Sequence, residues 1–192
     1  MKNITILASG AGSNTQKIIH HFKGNTKAKV SLIVCNNANA GVLDIAAREN
    51  IPTLLIEKEK FRVTGYVEEI RKQSAGLIIL AGFLWKIPAV LIDAFPHRII
   101  NIHPALLPAY GGKGMYGKAV HNAVIAANEK KSGITIHYVD AKYDHGKIIF
   151  QATCNIDDKE TVESLSQKIH LLEHAHYPKI IEKILEQKEF IK

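Results

Sequence analysis

The sequence contains no long hydrophobic run, and no apolar stretch approaches the roughly 18 residues that a membrane-spanning helix needs. The opening segment, MKNITILASG, has too short an apolar core for a signal peptide and is followed at once by polar residues. Low-complexity tracts are also missing, and the composition, 46% hydrophobic and 22% charged, is typical of a globular protein. We therefore expect one folded domain, residues 1–192, that does not act in a membrane.

Cysteine is scarce as well, since Cys35 and Cys154 are the only two in the chain. This number excludes a disulfide framework, and their spacing excludes a paired Cys-x-x-Cys metal site. We interpret the chain as a cytoplasmic protein.

Acidic residues are outnumbered by basic ones, which gives a formal net charge of +7. The excess is explained either by a lysine-rich solvated surface or by attraction of an anionic small molecule. We expect no nucleic-acid partner, because the sequence has no RNA- or DNA-binding motif and its aromatic residues do not alternate with basic ones.

Short apolar runs alternate with segments of helical period in the first half of the chain. The predicted strands are 4–8, 30–35, 53–56, 77–81 and 98–102, and the predicted helices are 14–22, 42–49, 66–73 and 88–94. The second half predicts a helix at 117–128, an antiparallel hairpin of strands 132–140 and 147–154, and a long helix at 161–187, broken or kinked near Pro178. We predict an α/β, Rossmann-like fold with a mostly parallel mixed sheet and helices on both faces.

A glycine-containing loop, ASGAGSNTQ, follows the first predicted strand and opens the first helix. Gly10 and Gly12 allow close approach of a ligand, and the N–H groups of a helix N-terminus form an anion site. A dinucleotide is disfavoured, because Thr15 occupies the sixth position of the GxGxxG pattern and no acidic residue ends the second strand. The loop predicts a phosphate site, or otherwise a tight turn without a ligand.

Asn101 and His103, within NIHPALLP, end a predicted strand just before two prolines that restrict the next loop. Ligands in open α/β sheets bind beyond the carboxyl ends of strands, which makes both residues site candidates. The hairpin turn, DAKYDHG, carries Asp140 and Asp144 and can bring a carboxylate to His103, and such a partner raises the pKa of a histidine. Alternatively, His103 is a histidine hydrogen-bonded in a turn, and Asp144 is an ordinary turn aspartate.

Five segments together resemble the folate-dependent formyltransferases: SGAGSN, LAGFLWKI, NIHPALLP, GITIHYVDAKYDHGKII and LEHAHYP. The resemblance implies 10-formyltetrahydrofolate as donor and the glycyl amine of a ribonucleotide as acceptor. It implies a tetrahedral intermediate whose oxyanion is stabilised by Asn101 and protonated His103, with Asp144 supporting His103. It also implies small-molecule substrates, no metal, and a monomer or weak homodimer.

The resemblance further assigns binding residues. For the ribonucleotide they are Gly12, Ser13, Asn14 and Glu173, and for the folate they are Arg62, Leu84, Trp85, Lys86, Ile87, Asn101 and Asp140. Two stretches depart from the family pattern: the loop YGGKGMYG after the prolines, and EKFRVTGY around Arg62, which is shortened.

Four other functions compete with this interpretation. A formyl-folate hydrolase or a methionyl-tRNA formyltransferase would carry an additional domain, and a non-catalytic binding protein would not need Asn101, His103 and Asp144 together. The motif HLLEH, residues 170–174, matches the H-x-x-E-H pattern of zinc peptidases. We predict no metal there, because the short lysine-rich segment that follows offers no convincing third ligand.

Overall fold

A computed structural model describes residues 1–73 and 75–187. The strands are β1 Lys2–Ala8, β2 Ala28–Cys35, β3 Thr53–Leu55, β4 Ala75–Leu80, β5 Ile99–His103, β6 Lys131–Tyr138 and β7 Ile148–Asn155. The helices are α1 Ser13–Phe22, α2 Gly41–Arg48, α3 Lys58–Thr64, α4 Val67–Lys72, α5 Ala89–Ala94, α6 Lys118–Ala126 and α7 Val162–Glu186. None of the helices in this part of the chain is long and apolar enough to cross a membrane.

The strands form one seven-stranded sheet in the order β3-β2-β1-β4-β5-β6-β7. The pairs among β1 to β5 are parallel, whereas β6 is antiparallel to both β5 and β7. The predicted mixed α/β sheet with its antiparallel hairpin is therefore confirmed. The direction changes at β5, so the last parallel strand also borders the hairpin.

Helices cover both faces of the sheet, because the central strands carry apolar side chains on both faces. In β1, Ile4 and Ile6 belong to a core cluster built with α1, α2, α6 and α7, while Leu7 belongs to a second cluster built with α3, α4 and α5. Burial on both faces explains why these strands read as continuous apolar runs rather than alternating ones.

Two features of the helices differ from the sequence-based expectations. The short helix α3 was not predicted, because Phe61 is its one buried residue and seven residues give no helical period to detect. Of the break or kink predicted near Pro178, the break does not occur, since α7 continues through Pro178, which is buried inside it. Packing of a long apolar face can outweigh the hydrogen bond that a proline removes from a helix.

Tyr177 connects α7 to the centre of the sheet. Its side chain is fully buried, and its hydroxyl donates to the carbonyl oxygen of Leu80 at 3.0 Å, with the carbonyl oxygen of Ile100 at 3.4 Å. These carbonyls lie at the end of β4 and one residue before Asn101. Tyr177 therefore helps to set the position of α7 relative to the strand ends described below.

We expect Tyr177→Phe to lower the free energy of unfolding by about 1 kcal/mol, because it removes a buried hydroxyl but keeps the ring. Urea denaturation of both proteins measures the difference. Tyr143→Phe serves as the control, since Tyr143 is 41% exposed and should change the value by less than about 0.5 kcal/mol. Equal effects of the two substitutions would contradict the anchoring role.

Candidate functional site

The candidate site lies at the carboxyl ends of the parallel strands β1, β4 and β5, where open α/β sheets bind ligands. Asn101 and His103 occupy alternate positions at the end of β5. The imidazole of His103 is buried, with 3% of its surface exposed, whereas Asn101 is half-buried. The strand end thus presents an amide and an imidazole, as the sequence predicts.

The carboxylate of Asp144 lies beside both of these side chains. Its Oδ2 is 3.6 Å from His103 Nδ1, and its Oδ1 is 3.4 Å from Asn101 Nδ2. The backbone N–H of Gly112 donates to Oδ2 at 3.0 Å. Asp144 has a left-handed backbone, φ 52°, a conformation that aspartate tolerates better than most residues. The turn between β6 and β7 therefore brings the predicted carboxylate to the strand end.

A second buried histidine, His137, completes this cluster. The antiparallel register pairs Asn101 with His137, and Asn101 Nδ2 lies 3.1 Å from His137 Nε2. Because His137 Nδ1 lies 2.8 Å from the carbonyl oxygen of Tyr138, Nδ1 carries the proton and Nε2 accepts from the amide. His137 Nε2 is also 3.6 Å from Asp144 Oδ1. The Asp144 carboxylate is thus flanked by two imidazoles and one amide.

The pKa of the Asp144 carboxyl is lowered. Burial acts to raise it, but the imidazoles of His137 and His103 and the Gly112 N–H together outweigh burial. Asp144 is therefore an anion at neutral pH.

His103 has a lowered pKa, opposite in direction to the sequence-based expectation. Burial is the largest cause, and it outweighs the raising effects of Asp144 and of the Tyr110 carbonyl. His103 Nε2 lies 2.8 Å from that carbonyl oxygen, so the proton of the neutral ring is on Nε2 and Nδ1 faces Asp144. In the free protein His103 is a neutral imidazole, placed so that a proton arriving at Nδ1 would meet a carboxylate.

The loop after β5 is fastened by Thr135, which is fully buried on β6. Its hydroxyl donates to the Ala105 carbonyl at 2.7 Å and accepts from the Leu107 N–H at 2.9 Å. Gln151 Nε2 donates to the same hydroxyl at 2.9 Å and to the Leu107 carbonyl at 3.0 Å. This network holds the segment that leads from His103 to Tyr110.

Gly111 allows the loop to approach Asp144. A Cβ atom at this position would lie 2.5 Å from Leu107 Cδ2 and 3.2 Å from Asp144 Cβ. A side chain there would have to displace Leu107 and would crowd Asp144. The atypical loop of residues 111–117 therefore contributes backbone to the cluster.

The glycine-containing loop after β1 ends in an open helix N-terminus. Gly12 has φ 82° and packs so closely on α2 that a Cβ would lie 2.9 Å from Val42 and Ile45. No side chain among the described residues caps α1, so its first N–H groups face outward. This geometry suits an anion such as a phosphate.

Glu173, on α7, joins this loop to the rest of the site. It is 5% exposed, and its Oε2 accepts from Asn14 Nδ2 at 2.9 Å and lies 3.0 Å from His170 Nδ1. The hydrogen bond to Glu173 raises the pKa of His170. His170, the first histidine of the HLLEH motif, thus contacts Glu173. Within residues 1–73 and 75–187, no group of three His, Cys, Asp or Glu residues is arranged to hold a metal ion.

The predicted folate segment lies after β4. The Leu84 N–H donates to Ser9 Oγ at 3.0 Å, Trp85 packs against Phe61 with ring centroids 6.0 Å apart, and Ile87 is buried. Lys86 Nζ lies 5.9 Å from the ring centroid of Tyr143, in the turn that carries Asp144. This segment and the turn therefore border one another.

Two residues that were predicted to bind the folate have side chains that pair with other charged or titratable residues instead. Arg62 lies on α3, is mostly exposed and pairs with Glu59 at 2.9 Å. Asp140 accepts from the Lys142 N–H at 2.8 Å and pairs with His145 at 3.2 Å, so its carboxylate stabilises the turn.

Sequence reasoning missed His137 and the backbone groups of Tyr110 and Gly112. Alternation along 132–140 places His137 on one face of a strand, but only the register of β6 against β5 shows that it faces Asn101. No side-chain motif marks the two backbone groups.

Comparison with protein-family models matches residues 2–181 to the family described as Formyl transferase. The curated phosphoribosylglycinamide formyltransferase of Bacillus subtilis is 38% identical over 96% of this chain and 95% of its own length. The chloroplastic phosphoribosylglycinamide formyltransferase of Arabidopsis thaliana is 38% identical over 97% of this chain, which spans only 66% of that protein. The counterpart from Vigna unguiculata is also 38% identical, and the chain spans 62% of its length.

Solved structures agree with these relatives. The glycinamide ribonucleotide transformylase 1 from Geobacillus kaustophilus superposes with a TM-score of 0.88 at 34% identity, covering 96% of this chain and 99% of that one. The phosphoribosylglycinamide formyltransferase from Bacillus halodurans gives a TM-score of 0.88 at 33% identity, covering 97% and 96% of the two chains.

The geometry of His103 predicts its titration. We expect NMR spectra of histidine-labelled protein to show His103 titrating below 6.5, its ordinary pKa, because burial disfavours the cation. In Asp144→Asn the pKa should fall further, because the anion that favours the imidazolium is gone. His170, whose pKa is raised, should not move in the variant. A His103 pKa above 6.5, or a rise in the variant, would contradict this electrostatic account.

Proposed function

Since the chain belongs to the formyl transferase family, we propose that it transfers the formyl group of 10-formyltetrahydrofolate to the amine of phosphoribosylglycinamide, in purine biosynthesis. The observation that carries the proposal is the cluster of Asn101, His103 and Asp144 at the carboxyl end of β5. The carboxylate of Asp144 lies 3.4 Å from the amide of Asn101 and 3.6 Å from the imidazole of His103. An amide, an imidazole and a carboxylate in contact suit proton transfer next to a developing oxyanion.

The residues on the two sides of the Asn101, His103 and Asp144 cluster suit different substrates. The open N-terminus of α1, with Gly12, Ser13 and Asn14, suits the phosphate of the ribonucleotide, and Glu173 suits its ribose hydroxyls. Leu84, Trp85, Lys86 and Ile87 offer a largely apolar segment for the folate, next to the Asp140 turn. Arg62 is the weakest of these assignments, because its guanidinium pairs with Glu59.

The neutral state of His103 suggests the order of proton transfers. The substrate amine attacks the formyl carbon, which creates an oxyanion and a positively charged nitrogen. His103 takes the proton from this nitrogen, and the imidazolium is stabilised by Asp144. The folate N10 then receives the proton as its bond to the formyl carbon breaks, which restores neutral His103.

The N–H groups that could donate to the oxyanion already contact other groups in the free protein. Asn101 Nδ2 makes a contact of 3.4 Å with Asp144, which is long for a hydrogen bond, so this N–H is the one that an oxyanion can capture. His103 Nε2–H is held by the Tyr110 carbonyl at 2.8 Å and must be shared or released if it is to contact the substrate.

The decisive experiment is a spectroscopic transfer assay with 10-formyltetrahydrofolate, with and without phosphoribosylglycinamide. We expect folate product only when the ribonucleotide is present. Equal product without it would favour a hydrolase, and no product from correctly folded protein would leave a binding protein. Each of those two outcomes would overturn the proposal.

We expect Asn101→Ala, His103→Ala and Asp144→Ala each to lower kcat by at least about 10²-fold, because each removes a group that handles the proton or the oxyanion. Circular dichroism and thermal melting check that the variants remain folded. His20→Ala, an exposed histidine on α1 that contacts Gln16, is the control and should retain full activity. Near-normal turnover in any of the three variants would remove that residue from the mechanism.

A further inference from the structure

Tyr110 combines an unfavourable backbone conformation with a polar contact at each end of the residue. Its φ is 55°, in the left-handed region, where a bulky side chain is a rare exception. Its carbonyl oxygen lies 2.8 Å from His103 Nε2, and its side-chain hydroxyl donates to Glu129 Oε1 at 2.7 Å. Such a backbone persists only where surrounding contacts hold it, and it is found most often at functional sites. Packing alone therefore does not account for a tyrosine in this conformation.

Glu129 holds the side chain of Tyr110 from outside the cluster. It is exposed and lies in the turn between α6 and β6, whereas the ring of Tyr110 is half-buried and packs against the core. The hydrogen bond to Glu129 raises the pKa of Tyr110, so the phenol keeps its proton and donates. The segment after β5 is thus fastened at two points, the Thr135 hydroxyl on β6 and the Glu129 carboxylate just before that strand.

The carbonyl of Tyr110 decides which nitrogen of His103 carries the proton. In a neutral imidazole, the hydrogen bond made by one nitrogen sets the state of the other. A carbonyl can only accept, so it keeps the proton on Nε2 and leaves a lone pair on Nδ1, which faces Asp144 at 3.6 Å. A carboxylate is the stronger acceptor and by itself would draw the proton to Nδ1. Without the carbonyl, the nitrogen that faces the carboxylate would already be protonated before the reaction.

We propose that Tyr110 and Glu129 are positioning residues for His103: the hydrogen bond between their side chains holds the Tyr110 carbonyl on Nε2 and so keeps Nδ1 ready to receive a proton. The inference rests on the proposed function, because it takes His103 to be the group that accepts the proton of the substrate amine. Neither side chain touches the reacting atoms. Glu129 acts on His103 only through Tyr110.

Three variants test the contact between the two side chains. Tyr110→Phe removes only the hydroxyl, Glu129→Ala removes its acceptor, and Glu129→Gln keeps an amide oxygen that can accept from the hydroxyl. Nitrogen-15 NMR of the histidine-labelled, ligand-free proteins reads the tautomer of His103. We expect the Nε2-protonated form alone in the parent protein and in Glu129→Gln. Tyr110→Phe and Glu129→Ala should both show a mixture with the Nδ1-protonated form.

Steady-state kinetics measures the consequence for formyl transfer. We expect Tyr110→Phe and Glu129→Ala each to lower kcat about three- to tenfold, with KM for both substrates within about twofold of the parent value, and Glu129→Gln to retain most of the activity. The double variant should be no slower than either single variant, because both substitutions remove the same contact. Glu68→Ala is the matched control, since this exposed glutamate pairs with Arg71 at 3.2 Å on α4 and should change neither kcat nor the tautomer.

Three results would each overturn the inference. In the first, His103 stays protonated on Nε2 alone in Tyr110→Phe and Glu129→Ala, whatever happens to kcat. In the second, the tautomer changes and kcat does not. In the third, the double variant shows the product of the two single losses, so that the side chains act independently.

The two measurements also separate this inference from the proposed function. The NMR experiment needs no substrate, so it tests the effect of the Tyr110–Glu129 contact on His103 in any case. A parent protein that does not formylate phosphoribosylglycinamide overturns the proposed function. An active parent protein whose Tyr110→Phe and Glu129→Ala variants are unaffected overturns only the positioning role.

Discussion

The site depends on one buried anion, the carboxylate of Asp144. A charge in the protein interior is unfavourable unless nearby donors and dipoles compensate for it. Here the Gly112 N–H at 3.0 Å and the Asn101 amide at 3.4 Å provide that compensation, and the imidazoles of His103 and His137 each lie 3.6 Å from the carboxylate. In the proposed transfer reaction, a proton taken up by His103 would lie against this carboxylate.

Several unusual local features exist to bring this carboxylate into place. Asp144 itself has a left-handed backbone, and Gly111 leaves room where any Cβ would collide with Leu107. The buried Thr135 hydroxyl, with three hydrogen-bond partners, fixes the loop that leads to both glycines. The cluster thus depends on backbone shape as much as on its own side chains.

Helix α7 carries two residues, Glu173 and Tyr177, that lie one turn apart and connect it to different parts of the molecule. Tyr177 fixes the helix to carbonyls of β4 and β5, and Glu173 then reaches Asn14 at the start of α1. The proposed acceptor side of the site is consequently set by contacts between the last helix and the first, whose residues are far apart in the chain. Glu173 is also the glutamate of the HLLEH motif, and its carboxylate lies 3.0 Å from Nδ1 of His170, the first histidine of the motif.

Local patterns in the sequence were sufficient for the alternation of strands and helices, since buried parallel strands are continuous apolar runs and helices have their own period. These patterns also singled out Asn101 and His103 as candidate site residues, because polar residues at the end of an apolar strand are conspicuous. The short helix α3 and the continuous α7 were not predictable, since long-range packing outweighs local signals there. The partnership of His137 with Asn101 was decided by the register between β5 and β6, and the lowered pKa of His103 by burial, which exceeds the effect of its carboxylate partner. Register and burial are properties of the assembled sheet and its covering loops, and therefore only the tertiary structure could determine them.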